Sequence, residues 1–248
     1  MRVQHRNHVE IVDAGPEIAA YYGRMRSMYL GTEFHRYWAE CGDALIHPRD
    51  QSFFENDKTK QCKEDSDFVT SDYGPWPFDG PMEMAKIVVC YANPAYSVED
   101  KKHRELINKQ RTGVEPLPKP WHKFYKTRIA DPLGKSVESL ESQVAIFNVC
   151  PYPSISMPDR AIRFAAGLPS VWAAQKYLRE VLIPNARAGK IFLVIARKHM
   201  LWGVNNGITE GNISCVRNRY GKLDEVTVEK IENWMTSQER CESPKPEN

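Results

Sequence analysis

From residue 86 onward the chain is punctuated by four short apolar runs: KIVVCYA at 86–92, QVAIFNV at 143–149, KIFLVIA at 190–196 and NISCV at 212–216. They are rich in β-branched residues and nearly continuous, which is the pattern of strands covered on both faces. Amphipathic stretches lie between them. One helix is predicted to start at Ser97, whose hydroxyl can cap it while Asp100 sits at the N3 position. A second runs from Ser170 to Ile183 with Ser170 as its cap and Gly189 ending its tail, and a third covers 225–238. Strands alternating with helices imply right-handed βαβ units and a parallel sheet.

The first eighty residues follow a different rhythm. Helical spacing over 16–42 is broken by Gly23 and Gly31, which predicts two short helices, and an irregular arm follows. The Pro, Gly and aromatic cluster from Tyr73 to Pro81 reads as an ordered loop leading into the first core strand. The expected fold is therefore α/β: a three-layer α/β/α sandwich around a central, four-stranded, mostly parallel sheet at 81–238. Residues 1–80 form a helical and irregular elaboration packed on that core, and 239–248 a flexible tail.

Composition refines this only slightly. Hydrophobic residues make up 42% and charged residues 27% of 248, the balance of an ordinary globular protein. No run reaches the roughly 18 apolar residues that span a bilayer, and the N-terminus lacks a signal-peptide core. The expectation is a cytoplasmic protein with no membrane partner. The six cysteines are scattered without a C-x-x-C pair, so neither a disulfide framework nor a zinc site is indicated. Net charge is only +2, but KPWHKFYKTR at 119–128 interleaves bases with aromatics, as suits a phosphate backbone and stacked bases. A solvated surface with aromatic anchors is the plainer reading of the same stretch.

Candidate chemistry follows from topology, because open parallel sheets bind ligands beyond the carboxyl ends of their strands. The first run leads into Asn93-Pro94-Ala95-Tyr96, and the second ends at Asn148 before Cys150-Pro151-Tyr152-Pro153-Ser154. The third is followed by Arg197-Lys198-His199 and the fourth by Arg217-Asn218-Arg219-Tyr220. Asparagine amides, bases and tyrosines thus converge on one edge. His199 reads as a packing or capping histidine. The chain lacks the glycine-rich phosphate and dinucleotide loops, the nucleophile elbow of α/β-hydrolases, and the zincin and zinc-deaminase motifs.

AKIVVCYANPAYS resembles the first motif of the uracil-DNA glycosylase superfamily, a buried strand ending in a short polar turn. VAIFNVCPYPS is similar to its second strand, whose terminal asparagine reads the pyrimidine edge, and GKIFLVIARKHMLWG to the strand before its last motif. Order and spacing agree over about residues 80–235. The likeness is nearest to the mismatch-specific uracil and thymine branch, which carries asparagine in the first motif.

The resemblance implies a role for each matching residue. Asn93 would be catalytic, holding a water for attack at the sugar C1′. Ala95 stands where the main uracil branch has a tyrosine that blocks 5-substituted pyrimidines, so the pocket should admit a 5-methyl group or something bulkier. Tyr96 and Tyr152 would flank the base and Asn148 would pair with its Watson–Crick edge. Asn218 would be the second catalytic residue, at the asparagine position of the last motif, although the proline and serine of that motif are missing. Arg197, Lys198, Arg217 and Arg219 would hold phosphates, and Tyr220 or Leu223 would fill the gap left by the flipped base.

The implied activity is that of a monofunctional DNA glycosylase leaving an abasic site, with no metal, cluster or other cofactor and no obligate protein partner. Its substrate would be uracil, mismatched thymine or a 5-modified cytosine. Hydroxymethylated or glucosylated cytosine of phage DNA would make it a defence enzyme. A catalytically inactive DNA-binding protein of the same fold and an enzyme on free nucleosides stand as alternatives.

Overall fold

The computed structural model describes residues 33–56, 59, 67–205, 210–218 and 220–242. Arg219, the first helix expected in the arm and the end of the tail lie outside them.

The core is a five-stranded mixed sheet in the order β1-β3-β2-β4-β5. Four strands coincide with the apolar runs: β2 (Ile87–Tyr91), β3 (Val144–Asn148), β4 (Phe192–Ile195) and β5 (Ile213–Cys215), all parallel to one another. Every residue of these strands is buried. Their side chains alternate between two separate apolar clusters, Val88, Cys90, Ala145 and Phe147 on one face and Ile87, Val89, Val144 and Ile146 on the other. Helices close both faces. Those at 33–39, Asp159–Ala165 and Pro169–Tyr177 cover the first, and Ile129, Ile231 and Trp234 cover the second. Cys41, Cys90, Cys150 and Cys215 are buried thiols outside any disulfide.

The four-stranded expectation is corrected by β1, Phe78–Asp79, which runs antiparallel to β3 with Phe78 opposite Phe147 and Asp79 opposite Ile146. Two residues show no periodicity, and they sit inside what reads as a loop. The strand ends at Gly80, whose φ of +84° a side chain would resist, and a Cβ there would lie 2.4 Å from the carbonyl of Val144.

Helix starts divide into local and non-local cases. Ser97 caps the 3₁₀ turn Val98–His103, its hydroxyl accepting from the Glu99 amide at 3.3 Å, and Arg104–Gln110 continues it. Ser170 is not the cap of its helix. That helix begins at Pro169, and the Ser170 amide donates to Asp50 Oδ1 at 2.9 Å from 120 residues away. The segment then widens into a π-type turn, Leu178–Leu182, before Ile183–Arg187 and Gly189. The described part of the N-terminal region is integral to the core, since Phe34, Trp38 and Phe54 pack in the same cluster as Phe147.

Candidate functional site

The carboxyl ends of all four parallel strands open on one cavity of about 430 Å³, within the size range of small-molecule sites. Asn93 and Ala95 enter from β2, Asn148 from β3, Arg197 from β4 and Tyr220 from the segment after β5. The added strand β1 contributes Asp79. The convergence expected from topology is therefore realised in space.

Asn93 is held by its amide nitrogen. Nδ2 donates to the carbonyls of Pro94 at 3.0 Å and Tyr152 at 3.2 Å and to Ser154 Oγ at 2.7 Å. The Ser154 hydroxyl spends its own proton on the Ser156 carbonyl at 2.6 Å, so toward Asn93 it is an acceptor. Three acceptors on one side fix which end of the amide is nitrogen, and the amide oxygen is left for the cavity that Asn93 lines. The turn itself is pinned, with Tyr96 N donating to Ser154 O and Ser154 N to Pro94 O.

Asn148 is buried and fixed the same way, Nδ2 donating to the Trp76 carbonyl at 3.2 Å. Its amide oxygen and second N–H remain for a ligand, giving one acceptor and one donor. Trp76 serves twice, because its indole Nε1 donates to Asp79 Oδ1 at 2.6 Å. The other oxygen of Asp79 accepts from the Tyr125 hydroxyl at 2.9 Å. Burial pushes this carboxyl up to about 7; the two donors pull the other way, and the nearby Asp100 carboxylate adds to the rise. A protonated and an ionised Asp79 are thus both accessible near neutrality.

The walls are aromatic. The rings of Trp76 and Trp121 lie 4.3 Å apart at 52°, and Trp121 Nε1 donates to Asp100 Oδ1 at 2.9 Å. Phe124 meets Tyr91 at 5.4 Å. Two cations, Arg128 and Arg197, line the same space, and the Arg128 guanidinium lies 5.6 Å from the centre of the Tyr220 ring. Arg128 belongs to a π-type turn, Lys126–Ala130, and its carbonyl accepts from Leu223 N at 3.0 Å. Tyr91 reaches up from β2 to donate its hydroxyl to the Gly221 carbonyl at 2.7 Å. The segment bearing Tyr220 is thereby fastened over the cavity at two points.

Other expected residues lie elsewhere. Tyr152 is fully buried, its hydroxyl donating to Asp50 Oδ2 at 2.7 Å, so it supports Asn93 through its carbonyl and has no face for a base. Tyr96 stacks on Tyr73 and donates to Asp72 Oδ2 at 2.6 Å, outside the cavity lining. Leu223 is buried in the core, where its apolar side chain gains more than it would at a surface tip, and it is no wedge. Asn218 is consumed by its own loop: Oδ1 accepts from Tyr220 N and Lys222 N, and Nδ2 donates to Lys222 O. Lys198 sits in left-handed backbone at φ +52° before the short helix His199–Trp202. The exposed Arg217 has its amide on Asp224 Oδ2.

Sequence reasoning missed Asp79, Asp100, Trp76 and the group Trp121, Phe124, Tyr125 and Arg128 as cavity residues. The last four lie within the basic and aromatic stretch 119–128, so the signal was present but matched a surface equally well. No lysine lines the cavity among the described residues. Nor do three or more His, Cys, Asp or Glu side chains converge as a metal ion would need among those residues. No family model, curated protein or solved structure matches the chain.

Proposed function

We propose that the protein is a monofunctional DNA glycosylase, which accepts a flipped pyrimidine nucleotide and hydrolyses its N-glycosidic bond to leave an abasic site. The observation that carries the reading is the Asn93 amide, held at its nitrogen by three acceptors in the lining of a cavity that also presents Asn148. In this reading Asn93 Oδ1 accepts a hydrogen bond from the attacking water and orients its oxygen on C1′. Asn148 pairs with the base edge through its free donor and acceptor, and Trp76 and Trp121 offer ring faces to the base. Arg128 and Arg197 serve the flanking phosphates. The absence of lysine from the described lining supports simple hydrolysis over a Schiff-base route with strand cleavage.

The substrate follows from what Ala95 lacks. It is an exposed cavity residue with a single methyl group, which leaves room for a base bearing a 5-substituent. Mismatched thymine and 5-modified cytosine, including the hydroxymethylated or glucosylated cytosine of phage DNA, fit that opening as well as uracil. The decisive experiment incubates the protein with duplexes carrying each base, and with modified phage DNA, and assays alkali-labile sites. Base release from at least one of them, lost in Asn93→Ala, is the expected result. No release from any overturns the reading.

One observation favours a second reading, DNA binding without chemistry. Asn218, in the place of the family's last motif, is engaged entirely within its own loop. Tight, salt-dependent binding of DNA that is unchanged by Asn93→Ala and accompanied by no base release would establish it.

A further inference from the structure

The loop that should assist the departing base has its asparagine turned inward, yet the cavity is not without a polar group suited to that task. Asp79 stands in it on the short strand β1, buried and gripped on both oxygens. No cation among the described residues pairs with it, and a neutral acceptor would also meet the Trp76 and Tyr125 donors. A buried carboxyl without a counter-ion is costly unless it holds a proton.

Resting on the glycosylase reading, we propose that Asp79 is the catalytic acid of this site, donating a proton to the base as it leaves. The C1′–N1 bond breaks with its electron pair passing to the base. The base takes the Asp79 proton at the ring nitrogen or carbonyl oxygen that faces it. The oxygen of the Asn93-held water bonds to C1′, its surplus proton passes to solvent, and the Asp79 carboxylate is reprotonated from solvent. Atoms and charge balance with water as the only co-reactant.

The surroundings suit a proton that is held and then released. Asp100, on the turn after β2, opposes ionisation of Asp79, while Tyr125 and Trp76 assist it by hydrogen bonding. Tyr91 of β2, Arg128 of the π-type turn, Arg197 after β4 and Tyr220 after β5 are the other titratable or charged groups facing the cavity. Burial holds both Tyr91 and Tyr125 as neutral phenols. Acid assistance matters most for a poor leaving group, and a cytosine-type base departs less readily than uracil because its anion is the more basic.

The test measures single-turnover base release against pH on duplexes carrying uracil opposite guanine, thymine opposite guanine or 5-hydroxymethylcytosine. For the wild type, the rate should fall up to about tenfold per pH unit above about 7. Asp79→Asn should remove that limb and slow release by about 10²-fold or more, with the larger loss on 5-hydroxymethylcytosine. Binding of abasic duplex reports that the variant is folded. Tyr125→Phe, which removes a donor favouring the carboxylate, should move the limb to higher pH and tests the idea even if Asp79→Asn misfolds. Wild-type rates in Asp79→Asn, a limb that survives it, or a limb unmoved by Tyr125→Phe would overturn the role of Asp79 alone. If the wild type releases no base on any duplex, the glycosylase reading itself falls.

Discussion

Ser154 Oγ accepts from Asn93 Nδ2 at 2.7 Å while donating its own proton to the Ser156 carbonyl at 2.6 Å, so the serine faces Asn93 only as an acceptor. Orientation of the candidate catalytic amide therefore depends on a hydroxyl 61 residues away. Removing it in Ser154→Ala leaves two carbonyl acceptors on the Asn93 nitrogen and loosens the amide. Base release should drop by about fivefold, the value of one hydrogen bond of about 1 kcal/mol, while DNA affinity is kept. Single-turnover rates beside a filter-binding titration check it.

Asn93→Asp addresses the same geometry from the other side. A carboxylate would set an oxygen against the carbonyls of Pro94 and Tyr152, which cannot donate. The expected outcome is a loss of about 1 kcal/mol of stability at pH 8, the low end of the cost of an unsatisfied polar group because Asn93 is only half-buried. Denaturant unfolding measures it, and unchanged stability would mean that the amide is not oriented as described.

Asp79 links stability to pH. Its folded-state pKa, pushed up to about 7, lies above the ordinary value of an unfolded aspartate, so between about pH 4 and 7 the folded protein holds a proton that the unfolded chain has lost. Stability from this group is full at acid pH and falls as pH rises through that window, by an upper bound of about 4 kcal/mol. Asp79→Asn keeps a neutral side chain of the same shape. The variant should melt higher than the wild type at pH 8, with the gap closing toward pH 4. Melting curves of the two proteins across pH decide this.

Ala95→Tyr should narrow the opening where a 5-substituent would lie. Release of 5-hydroxymethylcytosine or thymine should fall much more than release of uracil. Competition between labelled duplexes in one reaction reads the ratio directly, and an equal loss on all bases would contradict the steric argument.

Gly221 holds the segment that carries Tyr220. Its φ is +66°, and a Cβ there would lie 2.7 Å from Tyr91 Cε1 and 2.9 Å from Arg197 Cγ. Gly221→Ala should cost about 1 kcal/mol in backbone strain and dislodge the contact of Tyr91 with the Gly221 carbonyl. Weaker DNA binding with a melting temperature lowered by about 2–4 °C is the expected pattern, measured by fluorescence anisotropy and thermal melting.

Much of this architecture was legible in the chain. Parallel strands buried on both faces must be continuously apolar, so β2 to β5 could be read directly, and the topology rule then located the cavity at Asn93, Asn148, Arg197 and Tyr220. Ser97 could be read as a cap because capping there is local, a hydroxyl two residues from the amide it meets. What tertiary structure alone decided is non-local. Strand β1 exists because β3 offers an edge to two residues of a loop, and with it comes Asp79, an ordinary aspartate whose chemistry is set by burial between Trp76 and Tyr125. Asp50 took the Ser170 amide, and the core took Leu223. Local pattern specifies which residues must be covered and where chains turn. Which atoms meet across 60 or 120 residues, and hence which polar groups are oriented or neutralised, is decided only when the chain is packed.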